Sequence, residues 1–184
     1  MKKIFLILVM TLGVFVSRAQ QISVNTDVTM LMMQIYNAGA EMTIGNRSTL
    51  GLSVLGTKNP YIKKDMKLVA IQPEYRYYFG GRPLYHYFVG VSGLIVDYKS
   101  DIDGRHYDGV AAGAGLTFGY VVSITKRLTI DAHAGLGLMF FDQKKTVEGL
   151  PDLKTTLDTK MSEGYTGYGL MPTKIGVTLS YIIR

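Results

Sequence analysis

From about residue 22 to the end, one pattern recurs along the chain. Small or polar residues alternate with apolar ones, and most charged side chains within these runs fall on the small or polar side. Gly109, Ala111, Gly113, Gly115, Thr117 and Gly119 alternate with Val110, Ala112, Ala114, Leu116, Phe118 and Tyr120. Thr129, Asp131, His133, Gly135 and Gly137 alternate with Ile130, Ala132, Ala134, Leu136 and Leu138. In the segment IQPEYRYYF, Gln72, Glu74, Arg76 and Tyr78 oppose Ile71, Pro73, Tyr75, Tyr77 and Phe79. A period of two is that of a β-strand, whose side chains leave on opposite faces in turn. A chain built this way must set one face of every strand against something apolar.

Eight such strands are expected, over 22–31, 35–45, 49–57, 67–79, 85–98, 109–124, 128–141 and 168–183. Three of the connections are tight and rich in turn formers: Asn46-Arg47-Ser48, Gly80 to Leu84, and Thr125-Lys126-Arg127. The connections on the other side are mostly longer and polar, at Lys58–Lys67, Lys99–Asp108 and Asp142–Gly167; the first, near Met32–Gln34, is short. Short turns on one side, longer loops on the other and an even strand count define an all-β fold. The expected class is an eight-stranded antiparallel up-and-down transmembrane β-barrel.

The N-terminus fits this class. Met1-Lys2-Lys3 is a basic start, Ile4–Val16 is apolar, and Ser17-Arg18-Ala19 carries small residues where a signal peptidase reads. Residues 1–19 read as a secretory signal cleaved before Gln20, which leaves 20–184 as a single barrel domain. Cleavage removes Lys2, Lys3 and Arg18, so the formal charge falls from +6 to +3. That mild charge, with no basic patch interleaved with aromatics, gives no case for nucleic acid. The chain has no cysteine. Disulfides, thiolate metal sites, a cysteine nucleophile and a lipoprotein anchor at the cleavage site are thereby excluded.

A charged residue facing mid-bilayer costs about 2–4 kcal/mol for Arg or Lys. The polar faces are therefore expected inward. Asp27, Glu41, Gln72, Glu74, Arg76, Asp131, His133 and Lys174 form the expected lumen network, in which buried charges must pair. Tyr75, Tyr77, Phe79, Tyr85, Tyr87, Tyr120 and Tyr181 face outward near the short turns and form an aromatic girdle. Pro73 has no N–H for the ladder, so a bulge or a locally broken pair is expected there. In the last strand, Lys174, Gly176, Leu179 and Tyr181 follow the spacing polar-x-Gly-x-x-apolar-x-aromatic. This spacing resembles the C-terminal signal read by barrel assembly machinery.

The blocks QPEYRYYF (Gln72–Phe79), GAGLTFGYVVSITKRLTIDAHAGLGLMFFD (Gly113–Asp142) and PTKIGVTLSYII (Pro172–Ile183) carry a family resemblance. They are similar to a family of small outer-membrane barrels from Bacteroidota, OmpA/OmpX-like in build. That family is catalogued as a domain of unknown function, and its genes are often met near fimbrial ones. The chain departs from it at Leu50, where the family tends to carry Trp. The resemblance implies fold and location and no activity.

The expected function is therefore non-enzymatic: loop display in cell-surface interaction or in envelope- or fimbria-associated assembly. The partners are outer-membrane lipid, barrel assembly machinery and a surface or fimbrial protein, with no cofactor and no metal. The loop 142–167 carries charges of both signs and could extend the last hairpin as an edge for strand addition. The alternatives are a barrel-embedded lipid-modifying enzyme, a soluble periplasmic lipocalin-like carrier and a small pore. The enzyme would use the Asp131-x-His133 pair, with a serine such as Ser92, though no G-x-S-x-G elbow is present. The carrier needs an apolar interior, against the polar one assigned. For the pore, the glycines of strands six and seven would have to leave a gap. A calcium-loop reading of Asp101, Asp103, His106 and Asp108 lacks the late Glu of that motif.

Overall fold

The computed structural model describes residues 21–58, 66–102, 105–147 and 163–183. Its eight strands are β1 Ile22–Asp27, β2 Tyr36–Thr43, β3 Ser48–Lys58, β4 Met66–Tyr78, β5 His86–Ile102, β6 Arg105–Ser123, β7 Leu128–Val147 and β8 Glu163–Ile182. Each pairs antiparallel with the next, and β8 pairs with β1 to close the barrel. The expected all-β, eight-stranded barrel is the observed fold. The expected signal segment, 1–19, lies outside the described residues.

The register fixes the shape. Ladder partners traced from Ser23 run through Glu41, Gly51, Glu74, Ser92, Gly115 and Gly137 to Met171 on β8. Ser23 itself pairs with Ile182, eleven positions further along β8, one of them the extra residue of a bulge. A stagger of about ten residues over eight strands corresponds to a strand tilt of roughly 40°.

Four expectations need correction. The first strand stops at Asp27, and Val28–Met32 forms a short helix, α1. The Asp27 side chain accepts the Met30 N–H as an N-cap, which ends the ladder locally. Asn37 holds the same corner, its side chain accepting the Asp27 N–H and donating to the Asp27 carbonyl. The stretch Lys99–Asp108, expected as a loop, is strand as far as Ile102 and again from Arg105. Lys99 faces Asp108 across the ladder at 3.8 Å. Polar composition marked these residues as loop, but the antiparallel ladder continues through them. Likewise β7 runs on to Val147 and β8 begins at Glu163; residues 148–162 lie outside the described residues.

Pro73 gives the broken pair and not the bulge. The β4–β5 ladder lacks its rungs at Gln72 and Pro73 and resumes at Glu74–Ser92 in the same register. The bulge lies in β8 instead, where Gly135 pairs with Lys174 and Leu136 with Pro172, which leaves Thr173 as the extra residue. Gln72 Nε2 donates to the Thr173 carbonyl at 3.2 Å, so the disturbed backbone finds a partner across the lumen.

The fourth correction concerns the interior. Its middle part is closed and polar, as expected. The upper part, toward the long hairpins, is apolar: Leu55, Leu68, Leu94, Val96 and Met139 share the inward parity of Ser53, Gln72, Ser92 and Gly137. At the short-turn end Tyr78, Leu84, Phe88 and Val121 pack into a buried cluster that plugs the barrel.

Candidate functional site

The lumen network is assembled from five strands. Asp27 comes from β1, Glu41 from β2, Gln72, Glu74 and Arg76 from β4, Asp131 and His133 from β7, and Lys174 from β8. All eight are at most 7% exposed. Period two places Gln72, Glu74 and Arg76 on one face of β4, and barrel closure carries the rest to meet them.

Arg76 is the hub. Its guanidinium reaches Glu74 at 2.9 Å and both Glu41 and Asp131 at 3.3 Å. It also lies 4.5 Å from the centre of the Phe88 ring, over the plug. Glu74 takes a second cation, Lys174 Nζ, at 2.9 Å. Glu41 accepts from the Tyr78 hydroxyl at 2.8 Å and from the Thr49 hydroxyl. His133 sits between two carboxylates, with Nδ1 2.7 Å from Asp131 and Nε2 3.3 Å from Asp27. Only the Asp131 contact has hydrogen-bond geometry; Nε2 and the Asp27 Oδ2 that faces it are buried without a hydrogen-bond partner among the described residues.

Two glycines make this packing fit. A Cβ at Gly176 would lie 2.5 Å from a carboxylate oxygen of Asp27. One at Gly90 would lie 2.8 Å from the Tyr75 carbonyl and crowd Glu74 and Arg76. Small residues face the large charged ones, so the lumen fills without strain.

Sequence reasoning missed Thr49, Tyr78 and Phe88 as members of this network and its plug. Tyr78 was legible, because it continues the parity of Gln72, Glu74 and Arg76. Thr49 and Phe88 were not, because their partners lie on other strands. Asp131 and His133 do meet, but Ser92 is held by Thr117, whose hydroxyl donates to it at 3.2 Å. The side chains of Asp101 and His106 lie outside the described residues, as does all of Asp103. Asp108 is exposed on the outer face beside Lys99.

The girdle residues take outward or rim positions near the short turns. Phe79, Tyr87, Tyr75, Tyr120 and Tyr181 are exposed, and Tyr77 and Tyr85 are half-buried. Tyr85 stacks on His86, which stacks in turn on Tyr120. Of the expected assembly signal, Lys174 points inward to Glu74, Gly176 lies beside Asp27, and Tyr181 faces outward.

The space left inside the network is small. A void of about 20 Å³ lies among Asn25, Asp27, Gln72, Arg76 and Lys174. That is room for roughly one water. With the Tyr78–Phe88 plug beneath it, the lumen is expected to show no steady conductance in a planar bilayer. A stable open level in single-channel recordings would mean the network parts.

The fold and this site define a class: a closed eight-stranded β-barrel with a charged, hydrogen-bonded lumen and an apolar outer surface. The chain belongs to the family described as Protein of unknown function (DUF3575), whose model matches residues 4–183. Searches of the curated proteins and of the solved structures found no significant match.

Proposed function

We propose that the protein is a non-enzymatic outer-membrane barrel that displays its long hairpins at the cell surface. One observation carries this reading, the belt of exposed apolar side chains around the outside. On β7, outward residues from Ile130 to Phe140 are apolar without interruption. At about 3.3 Å per residue and a tilt of roughly 40°, that stretch rises about 25 Å, the height of a barrel's hydrocarbon band. Tyr75, Tyr87, Tyr120 and Tyr181 border the band below. Asp97, Lys99, Asp108 and Asp142 border it above on the outer face. Turned inside out, the same strands would place the Arg76 network in lipid at a prohibitive cost.

In this reading residues 1–19 direct export, and the last strand presents Lys174, Gly176, Leu179 and Tyr181 to the assembly machinery. The extended β5–β6 and β7–β8 hairpins rise beyond the band and meet a surface partner, in envelope- or fimbria-associated assembly. The absence of cysteine allows a clean test. With Lys99→Cys as the only thiol, an impermeant maleimide should label intact cells. Labelling only after lysis would place these hairpins on the inner side or the protein elsewhere.

A further inference from the structure

The wall of the barrel is uneven. β1 pairs with β8 only from Asp27–Thr178 down to Ser23–Ile182. β8 continues upward past Tyr168, the ladder partner of Phe140 at the top of the apolar band. Among the described residues no strand covers that side of β8 above Thr178. Helix α1 fills only the foot of the notch, with the Thr29 hydroxyl accepting the Val177 N–H. The apolar residues flanking the notch are among the most exposed of the described residues: Tyr168 81%, Met32 80%, Tyr36 72% and Leu170 70%.

Behind the notch lies the apolar upper lumen. Leu94 and Val96 point inward yet are only half-buried, and Met171, also of inward parity, is 45% exposed. A Cβ built at Gly169 would have nothing within 4 Å. Among the described residues, Leu94, Val96, Gly169 and Met171 thus line a partly open apolar space above Gln72 and the Lys174–Glu74 pair, beside the buried Leu55 and Met139.

Two occupants suit such a notch, an added strand or a lipid chain. An added strand needs a row of free donors on β8, and the edge is blunted against this. Thr29 takes the Val177 N–H, and Pro172 has none to offer. A second copy related by a two-fold axis along the membrane normal would cross β8 at roughly 80°, twice the tilt, and cannot form a ladder with it. An acyl chain asks only for an apolar path, and the notch opens at the depth of the apolar band.

We infer that the upper lumen binds an acyl chain of a bilayer lipid, admitted sideways between β8 and β2 above α1. The inference rests on the membrane reading above. The chain has no tryptophan, so single Trp reporters can separate the two. Leu94→Trp and Val96→Trp report from the cup, and Ile95→Trp from the outer face. Each is folded into vesicles of phosphatidylcholine brominated on its acyl chains, with folding checked by heat-modifiable electrophoretic migration.

The inward reporters are expected to lose fluorescence comparably with Ile95→Trp. Adding Gly169→Phe to Leu94→Trp should restore it by filling the path. If Ile95→Trp is quenched and neither inward reporter is, the cup is closed to lipid and the inference fails while the membrane reading stands. If no reporter is quenched, both fail. Quenching of the inward reporters only by a free brominated fatty acid, added to an unbrominated bilayer, would overturn bilayer lipid as the source.

Discussion

Replacing Arg76 by methionine is expected to cost about 3–5 kcal/mol, a large share of the roughly 5–15 kcal/mol by which a folded domain is stable. The residue is 4% exposed, and its guanidinium is the shared partner of Glu41, Glu74 and Asp131. Methionine fills similar volume but leaves three buried carboxylates with fewer cations. Lys174 still serves Glu74, and His133 still serves Asp131. Glu41 keeps only the hydroxyls of Thr49 and Tyr78. Lysine at position 76 should recover part of the loss, because one ammonium cannot span three carboxylates as a planar guanidinium does. Urea titration in detergent micelles, followed by heat-modifiable migration, reads the difference. An Arg76→Met barrel as stable as the parent would show that the network contributes nothing to the fold.

Leu116→Arg should cost about 2–4 kcal/mol in a bilayer, whereas Val122→Arg should cost about 0–1. Both residues face outward on β6, at 69% and 51% exposure, so neither substitution disturbs the lumen. Leu116 lies near the middle of the apolar band and Val122 at its short-turn border, six residues down the same strand. A water-exposed surface would accept both changes with little cost and no gradient. Folding titrations of the two variants into phospholipid vesicles distinguish these cases. Equal, small effects would remove the membrane reading.

The fold was legible because its two requirements leave marks at short range. Alternation over Gly113–Tyr120 or Ile130–Leu138 declares a strand with two unlike faces, and turns such as Asn46-Arg47-Ser48 declare reversal. The lumen residues were legible as a set for the same reason: Glu74 and Arg76 fall on the polar face of an alternating run. The misreadings arose where local composition and long-range pairing diverge. Val28–Met32 shows mixed apolar and polar residues that suit strand or helix, and the Asp27 cap with the Asn37 clasp decided for helix. Lys99–Asp108 looked like loop because polar residues sit there, although the ladder simply continues above the apolar belt.

By itself, then, the sequence determined most of the strands, their two unlike faces and the barrel class, since each follows from period two and the turns between the runs. Only the tertiary structure decided which charges meet, where the bulge falls and how far β1 reaches. Arg76 and Asp131 are far apart in the chain and 3.3 Å apart in the lumen. That distance is set by the stagger with which eight strands close, and a stagger is a property of the whole ring that no single strand records.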